Sequence, residues 1–182
     1  IGVDVATGMV FAYHQTSLRA SETIKSKRKI ERSAKLDGHH NVQGWHSDNG
    51  VFKSKEFMDD VEARGQKIDF SGVGAKHQNG KAERAVRTVT ERARAMMQHS
   101  AMHWPDQFNQ SLWPFALDHA MWLHNHTPMR DSGLAPVELW HGQKLACGEL
   151  QRARVWGCPV YVLDPKLQDG KKIQKWAPRS KV

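Results

Sequence analysis

Over its first hundred residues the chain alternates short β-like runs with helical ones, and that order leaves few architectures open. Residues 1–15 read as two strands joined at Ala6-Thr7-Gly8. Val3 and Val5 alternate with polar neighbours, and Val10 to Tyr13 suit a sheet. Residues 19–36 predict a helix: Thr23, Ile24, Lys27, Ile30 and Ala34 recur at helical spacing, and Gly38 is placed to stop it. Residues 41–47 predict a strand that delivers Asp48 into an Asn49-Gly50 turn. Ser54 can cap a helix over 55–64, with Phe57 and Val61 on one face and Gly65 as its stop. Residues 67–70 predict a strand, Gly72 and Gly74 open a loop running to Asn79, and a helix follows from Lys81 to His99. Strand, strand, helix, strand, helix, strand, loop, helix predicts an α/β fold with a mixed sheet flanked by helices.

The second half reads differently. Residues 104–125 predict one helix, entered through Trp104-Pro105, with Leu112, Ala116, Ala120 and Leu123 as its apolar face and Pro114 at its first turn or at a break. Residues 134–141 predict a short helix with Pro136 near its start. From Leu150 the pattern changes to short strands at 154–156 and 160–162, split by Gly157-Cys158-Pro159, and then a lysine-rich stretch. The division predicts a core over 1–145 and the start of a small β module over 150–182.

Composition bounds the class. The seven Trp are expected chiefly in the core, and no apolar run approaches the ~18 residues of a membrane span. No basic-then-apolar leader is present, and a start at Ile1 reads as a piece of something longer. Cys147 and Cys158 lack paired zinc or disulfide spacing and read as free thiols. His39 and His40 fall in a loop and His124 and His126 at a helix end, where surface or capping roles are expected. The net charge is +8, of which residues 151–182 carry +6, so a polyanionic partner is expected.

The chemistry concentrates in two stretches, Trp45-His46-Ser47-Asp48-Asn49-Gly50 and His77-Gln78-Asn79-Gly80-Lys81-Ala82-Glu83-Arg84-Ala85-Val86-Arg87. Asp48 at a strand end and Glu83 at a helix start can face each other across a cleft. Carboxylates suit hard cations such as Mg²⁺ or Mn²⁺, and two such ions can activate an attacking oxygen and stabilise a leaving one. Glu83, Arg87, Thr90 and Arg94 share one helix face; Ala82, Val86, Val89, Ala93 and Met96 are expected to form the opposite, core stripe. Arg87 and Arg94 could therefore hold phosphate oxygens beside the acid, with Asn79, Lys81 and Arg84 flanking it and Lys171, Lys172 and Lys175 adding contacts from the tail.

These two stretches resemble the integrase region of copia-type LTR retrotransposon polyproteins. Leu123-His124-Asn125-His126-Thr127-Pro128, Pro136-Val137-Glu138-Leu139-Trp140 and Val155-Trp156-Gly157-Cys158-Pro159 agree with it, and the match runs nearly end to end. The resemblance implies an RNase H-like core with an Asp, Asp, Glu triad holding two Mg²⁺ (or Mn²⁺) ions, Asp48 being the second acid and Glu83 the third. It implies 3′-end processing followed by strand transfer of element DNA into host DNA, by a homo-multimer acting in the nucleus after a cytoplasmic particle stage. It also implies that residues 150–182 begin an SH3-like barrel. The resembled core has three strands before its first helix where this chain shows two, so the first strand, with its Asp, is expected to precede Ile1. Asp4, just before a turn, is the weaker substitute. A remnant that binds nucleic acid without catalysis is the rival from a different class, and a nuclease that cuts without joining is a third reading.

Overall fold

The computed structural model describes residues 1–37, 40–72, 79–145 and 148–181. The expected stop at Gly38, His39, the loop from Val73 to Gln78 with its His77-Gln78, and Cys147 lie outside the described residues.

The chain opens with an antiparallel hairpin, β1 (Gly2–Val3) against β2 (Val10–Phe11), in the register Gly2↔Phe11 and Val3↔Val10. Its turn is built by Asp4, whose Oδ2 accepts from the Thr7 amide at 2.8 Å and the Thr7 hydroxyl at 2.7 Å. Short polar side chains that bond nearby backbone favour such turns. Helix α1 (Ala20–Asp37) follows and buries Thr23, Lys27 and Ala34, a face the helical spacing predicted.

Strand β3 (Gly44–Ser47), helix α2 (Lys55–Ala63) and strand β4 (Lys67–Phe70) form a βαβ unit, with β3 and β4 parallel from Gly44↔Lys67 to Ser47↔Phe70. Ser54 sits at the N-cap of α2, but its hydroxyl is buried and makes no capping bond. Gly65 ends α2 with φ +63°, where a side chain would be strained. Helix α1 packs on α2 through charge: Lys27 is 3% exposed and reaches Asp60 at 2.8 Å and Glu31 at 2.6 Å. Burial would raise the pKa of Asp60, but the hydrogen bonds and charges of Lys27 and Arg28 outweigh it and hold it below its ordinary value.

Helix α3 (Gly80–His103) runs four residues beyond its expected end and packs lengthwise on α4 (Trp113–His126). Val10, Ala85, Val89, Ala93, Ala116 and Ala120 form the main core, with Met96, Met97 and Trp156 against it. Small alanines on both helices permit a close approach. Of the expected core stripe on α3, Val89 and Ala93 are buried. Ala82 is half-buried and Val86 is 38% exposed, because Ala85 and Ser100 take the inward positions.

The expected single helix over 104–125 is interrupted. Two 3₁₀ turns, Pro105–Gln107 and Gln110–Leu112, precede α4. Pro105 has no amide proton to continue a helix, and Asn109 accepts from the Ser111 amide at 2.9 Å to start a new turn. Leu112 is consequently exposed, while Ala116 and Ala120 are buried as expected. The tryptophans depart from expectation as well: Trp140 is buried, but Trp113 is 53% and Trp176 89% exposed.

Helix α5 (Pro136–His141) seats Trp140 edge-on against Phe11 at 5.3 Å between centroids, and the Glu138 carboxylate accepts from the Ala135 and Leu145 amides. After α6 (Gly148–Gln151), residues 154–156 do not form the expected strand: the Cys158 amide donates to the Val155 carbonyl at 3.1 Å to close a turn in which Gly157 adopts φ +79°. Strand β5 (Val162–Leu163) then pairs antiparallel with β6 (Ser180–Lys181) around α7 (Pro165–Gln168).

Among the described residues the strands join in three separate pairs, β1–β2, β3–β4 and β5–β6. The mixed directions of the expected sheet are present, but its two halves do not hydrogen-bond to each other.

Candidate functional site

Asp48 stands where two parallel strands end. The ladder is prolonged past the strands by the Ser71 amide donating to the Ser47 carbonyl at 3.0 Å. The Asn49 side-chain amide donates to the Ser71 carbonyl at 3.1 Å, and the His46 ring meets the Ser71 hydroxyl at 3.1 Å. These contacts hold the Asp48-Asn49-Gly50 turn on the end of β4. Ser47 is buried beneath it and Asp48 is exposed, with Oδ1 accepting from the Gly50 amide at 3.3 Å. Carboxyl ends of parallel strands are where α/β folds build sites.

Glu83 is exposed in the first turn of α3, where a negative charge complements the helix dipole. Lys81 donates from Nζ to the Val5 carbonyl at 2.9 Å, so the start of α3 is tied to the β1–β2 hairpin. Among the described residues neither Asp48 nor Glu83 enters an ion pair. Asp4, by contrast, is committed to its own turn through Thr7. Among the described residues, no group of three or more His, Cys, Asp or Glu side chains gathers around one metal position.

The expected basic residues divide by environment. Arg87 and Arg94 are exposed on α3, about one and three turns past Glu83, and Thr90 is half-buried with its hydroxyl on the Val86 carbonyl at 2.7 Å. Arg84 bonds back to the Gly80 carbonyl through Nε, and Asn79 occupies the N-cap position. The face changes character toward its far end. Thr90, Arg94 and Met97 line an open groove of about 500 Å³ whose other wall is Phe108, Trp113 and Leu117. Lys171, Lys172 and Lys175 are exposed on the C-terminal segment, and Lys175 lies over the Trp176 ring.

His126 packs on Trp122 and pairs with Glu149 at 3.3 Å. Burial and then the charge of Arg92 lower the pKa of His124, against a hydrogen bond with the Gly8 backbone. Both serve the end of α4. The sequence reading passed over Ser71 and Asn49 as the residues that position Asp48. The signal was there in Asn49, an amide next to the acid; Ser71 becomes visible only once β3 and β4 are paired.

The fold is that of retroviral integrase catalytic cores, a RNase H-like architecture. The chain superposes on a chain of the simian T-cell lymphotropic virus intasome in complex with PP2A regulatory subunit B56 gamma, with TM-score 0.61 and 21% identity over 79% of this chain and 48% of that one. The HTLV-2 integrase catalytic core in complex with magnesium, in its trimeric form, gives TM-score 0.56 at 20% identity over 76% of this chain and 81% of that one. The catalytic core of BIV integrase gives 0.55 at 20% identity with the same coverage, 76% and 81%. Sequence narrows the kinship: the chain is 28% identical over 134 residues to the retrovirus-related Pol polyprotein from transposon TNT 1-94 of Nicotiana tabacum. That match covers 72% of this chain and 9% of the polyprotein, so the chain spans about a tenth of its relative. No family model matches. Sequence and fold agree on one likeness, to the integrase core of an LTR retrotransposon polyprotein. Among the described residues no helix is long and apolar enough to cross a membrane.

Proposed function

We propose that this chain is the greater part of an integrase-type polynucleotidyl transferase core, acting on the DNA of a retrotransposon and joining it to host DNA. The observation that carries the reading is the exposed Asp48, in no ion pair among the described residues, at the end of two parallel strands, with Glu83 opening the helix that follows them in the chain. The fold likeness and the tobacco polyprotein support it.

Asp48 and Glu83 offer only oxygen donors, which fits Mg²⁺ or Mn²⁺ and not a soft metal. Two such ions, when bound, would supply Lewis-acid activation of the attacking and leaving oxygens. Asp48 and Glu83 would hold them together with a third carboxylate. In this reading the third comes from a strand lying between the β1–β2 and β3–β4 pairs and supplied by the chain upstream of Ile1. The split of the sheet into two unconnected pairs supports it.

Arg87 and Arg94 hold phosphate oxygens along α3, with Asn79, Lys81 and Arg84 flanking Glu83 and Lys171, Lys172 and Lys175 reaching DNA from the tail. Lys81 would have to release the Val5 carbonyl to do so, which makes it the weakest of these contacts. Residues 1–145 form the core, and 150–182 begin a small SH3-like module with a basic tail. The enzyme works as a homo-multimer in the nucleus, after a cytoplasmic particle stage. The test is Mg²⁺-dependent joining of a labelled element-end oligonucleotide to target DNA by the chain carrying its upstream strand. Asp48→Asn and Glu83→Gln each abolish joining with the fold intact by circular dichroism; wild-type rates in either variant would sink the assignment.

A further inference from the structure

We propose that His99 and His103 form a binding site for a divalent transition-metal ion of the zinc class on the last turns of α3, separate from the carboxylates of Asp48 and Glu83. The two imidazoles are four residues apart on one helix face, and their ring centroids are 4.2 Å apart. That spacing is the one by which a helix presents two ring nitrogens to a single zinc ion. Both residues are exposed, and among the described residues neither ring takes part in a hydrogen bond or an ion pair. The contrast with other histidines is plain: His14 meets Asp118, His40 meets the Trp140 carbonyl, His46 meets Ser71, and His126 meets Glu149. Two unpartnered rings held side by side have free lone pairs and no internal acceptor for them.

The chemistry selects the ion. Imidazole nitrogen suits Zn²⁺, Ni²⁺ and Cu²⁺, whereas Mg²⁺ prefers oxygen ligands. Two protein donors leave the remaining positions to water, so the site is an open, exchangeable one rather than a closed structural one. The helix end beneath it is firm: the Trp104 amide donates to the Ser100 carbonyl at 2.9 Å. Trp104 also provides a reporter, because its ring lies 5.6 Å from His99 and 5.9 Å from His103 between centroids. An ion there would pin the last turn of α3, on which the Gly157 turn rests.

The experiment titrates the 182-residue chain with Zn²⁺ by calorimetry and with Ni²⁺ by tryptophan emission. The expected result is saturable binding of one Zn²⁺ per chain and partial Ni²⁺ quenching. Quenching is lost in Trp104→Phe, and both signals are lost in His99→Gln and in His103→Gln. Both histidines are exposed, so circular dichroism should be unchanged in these variants, and His119→Gln should bind as the parent does. Undiminished Zn²⁺ binding in the double His99→Gln/His103→Gln variant would overturn the site, as would Ni²⁺ quenching that survives Trp104→Phe or an equal response to Mg²⁺.

Discussion

Asn125 stands in for a neighbouring strand. From α4 its Oδ1 accepts from the Val10 amide at 2.9 Å and its Nδ2 donates to the Val10 carbonyl at 2.8 Å, a side-chain copy of a backbone pairing. Asn125 is 4% and Val10 1% exposed, so no water can replace either bond. Asn125→Leu keeps the branching at Cγ, orphans both backbone groups and adds some volume, and urea denaturation should show a loss of about 2–4 kcal/mol. A change under about 0.5 kcal/mol would mean that the strand finds other partners. The stretch Leu123 to Pro128 was legible as a motif, but its reason was not, since it lies in a contact 115 residues away in the chain. Pro136 to Trp140 is similar. Pro136 starts a helix, Glu138 gathers two amides and Trp140 fills the core, so this motif is architecture rather than chemistry. The placement of Asp48 after a strand and of Glu83 in a helix's first turn was legible because strand ends and helix starts are local features. Lys27 was legible as inward-facing, yet Asp60, its partner from 33 positions away, was not.

At the scale of elements, α3 is the axis that links site to tail. Glu83 opens it, Ala85, Val89 and Ala93 bury it, and Ser100 near its end receives the turn at Gly157. A Cβ on Gly157 would lie 2.5 Å from Ser100 Oγ and 2.9 Å from Ser100 Cβ, at a φ of +79° that side chains rarely adopt. Gly157→Ala should therefore cost about 1–3 kcal/mol in thermal or urea unfolding. It should also loosen Trp156 from the core, read as increased proteolysis after Arg152 or Arg154. An unchanged midpoint and digest would show that the turn is free to leave α3. The sequence placed a strand at 154–156 because Val and Trp favour sheets, but a glycine at positive φ and tertiary contact with α3 override that propensity. The same competition broke the helix expected over 104–125, where Pro105 and Asn109 carried a local stop that the apolar spacing of Leu112, Ala116 and Ala120 concealed.

At the scale of the molecule, β1–β2 is antiparallel, β3–β4 is parallel, and no hydrogen bond joins the pairs among the described residues. The α3–α4 core and the βαβ unit each hold together by their own contacts, the first through alanines and Val89, the second through Phe57, Val61 and the Lys27–Asp60 pair. A strand inserted between the halves would pair two open edges and bring the third carboxylate beside Asp48. Mg²⁺ holds its waters firmly and binds poorly to few carboxylates, so two acids alone should leave the chain inactive. The order of elements was readable from residues 1–100 because the strand and helix periodicities there are clear, whereas the likeness to integrase cores rested on the motifs at 45–50 and 77–84 and on those at 123–128, 136–140 and 155–159. The division of the sheet was not, since pairing between strands is a property of edges rather than of runs.

The central claim is that Asp48 and Glu83 belong to a three-acid site completed by an upstream strand. Its most direct test is to prepare the 182-residue chain with and without a segment of roughly 30 residues that supplies the proposed upstream strand, and to measure Mg²⁺-dependent strand transfer and thermal unfolding of each. The account predicts joining only by the longer chain, a higher unfolding midpoint for it, and no effect of Asp4→Asn on joining. Joining by the shorter chain that disappears with Asp4→Asn would contradict it, and would make Asp4 the third acid.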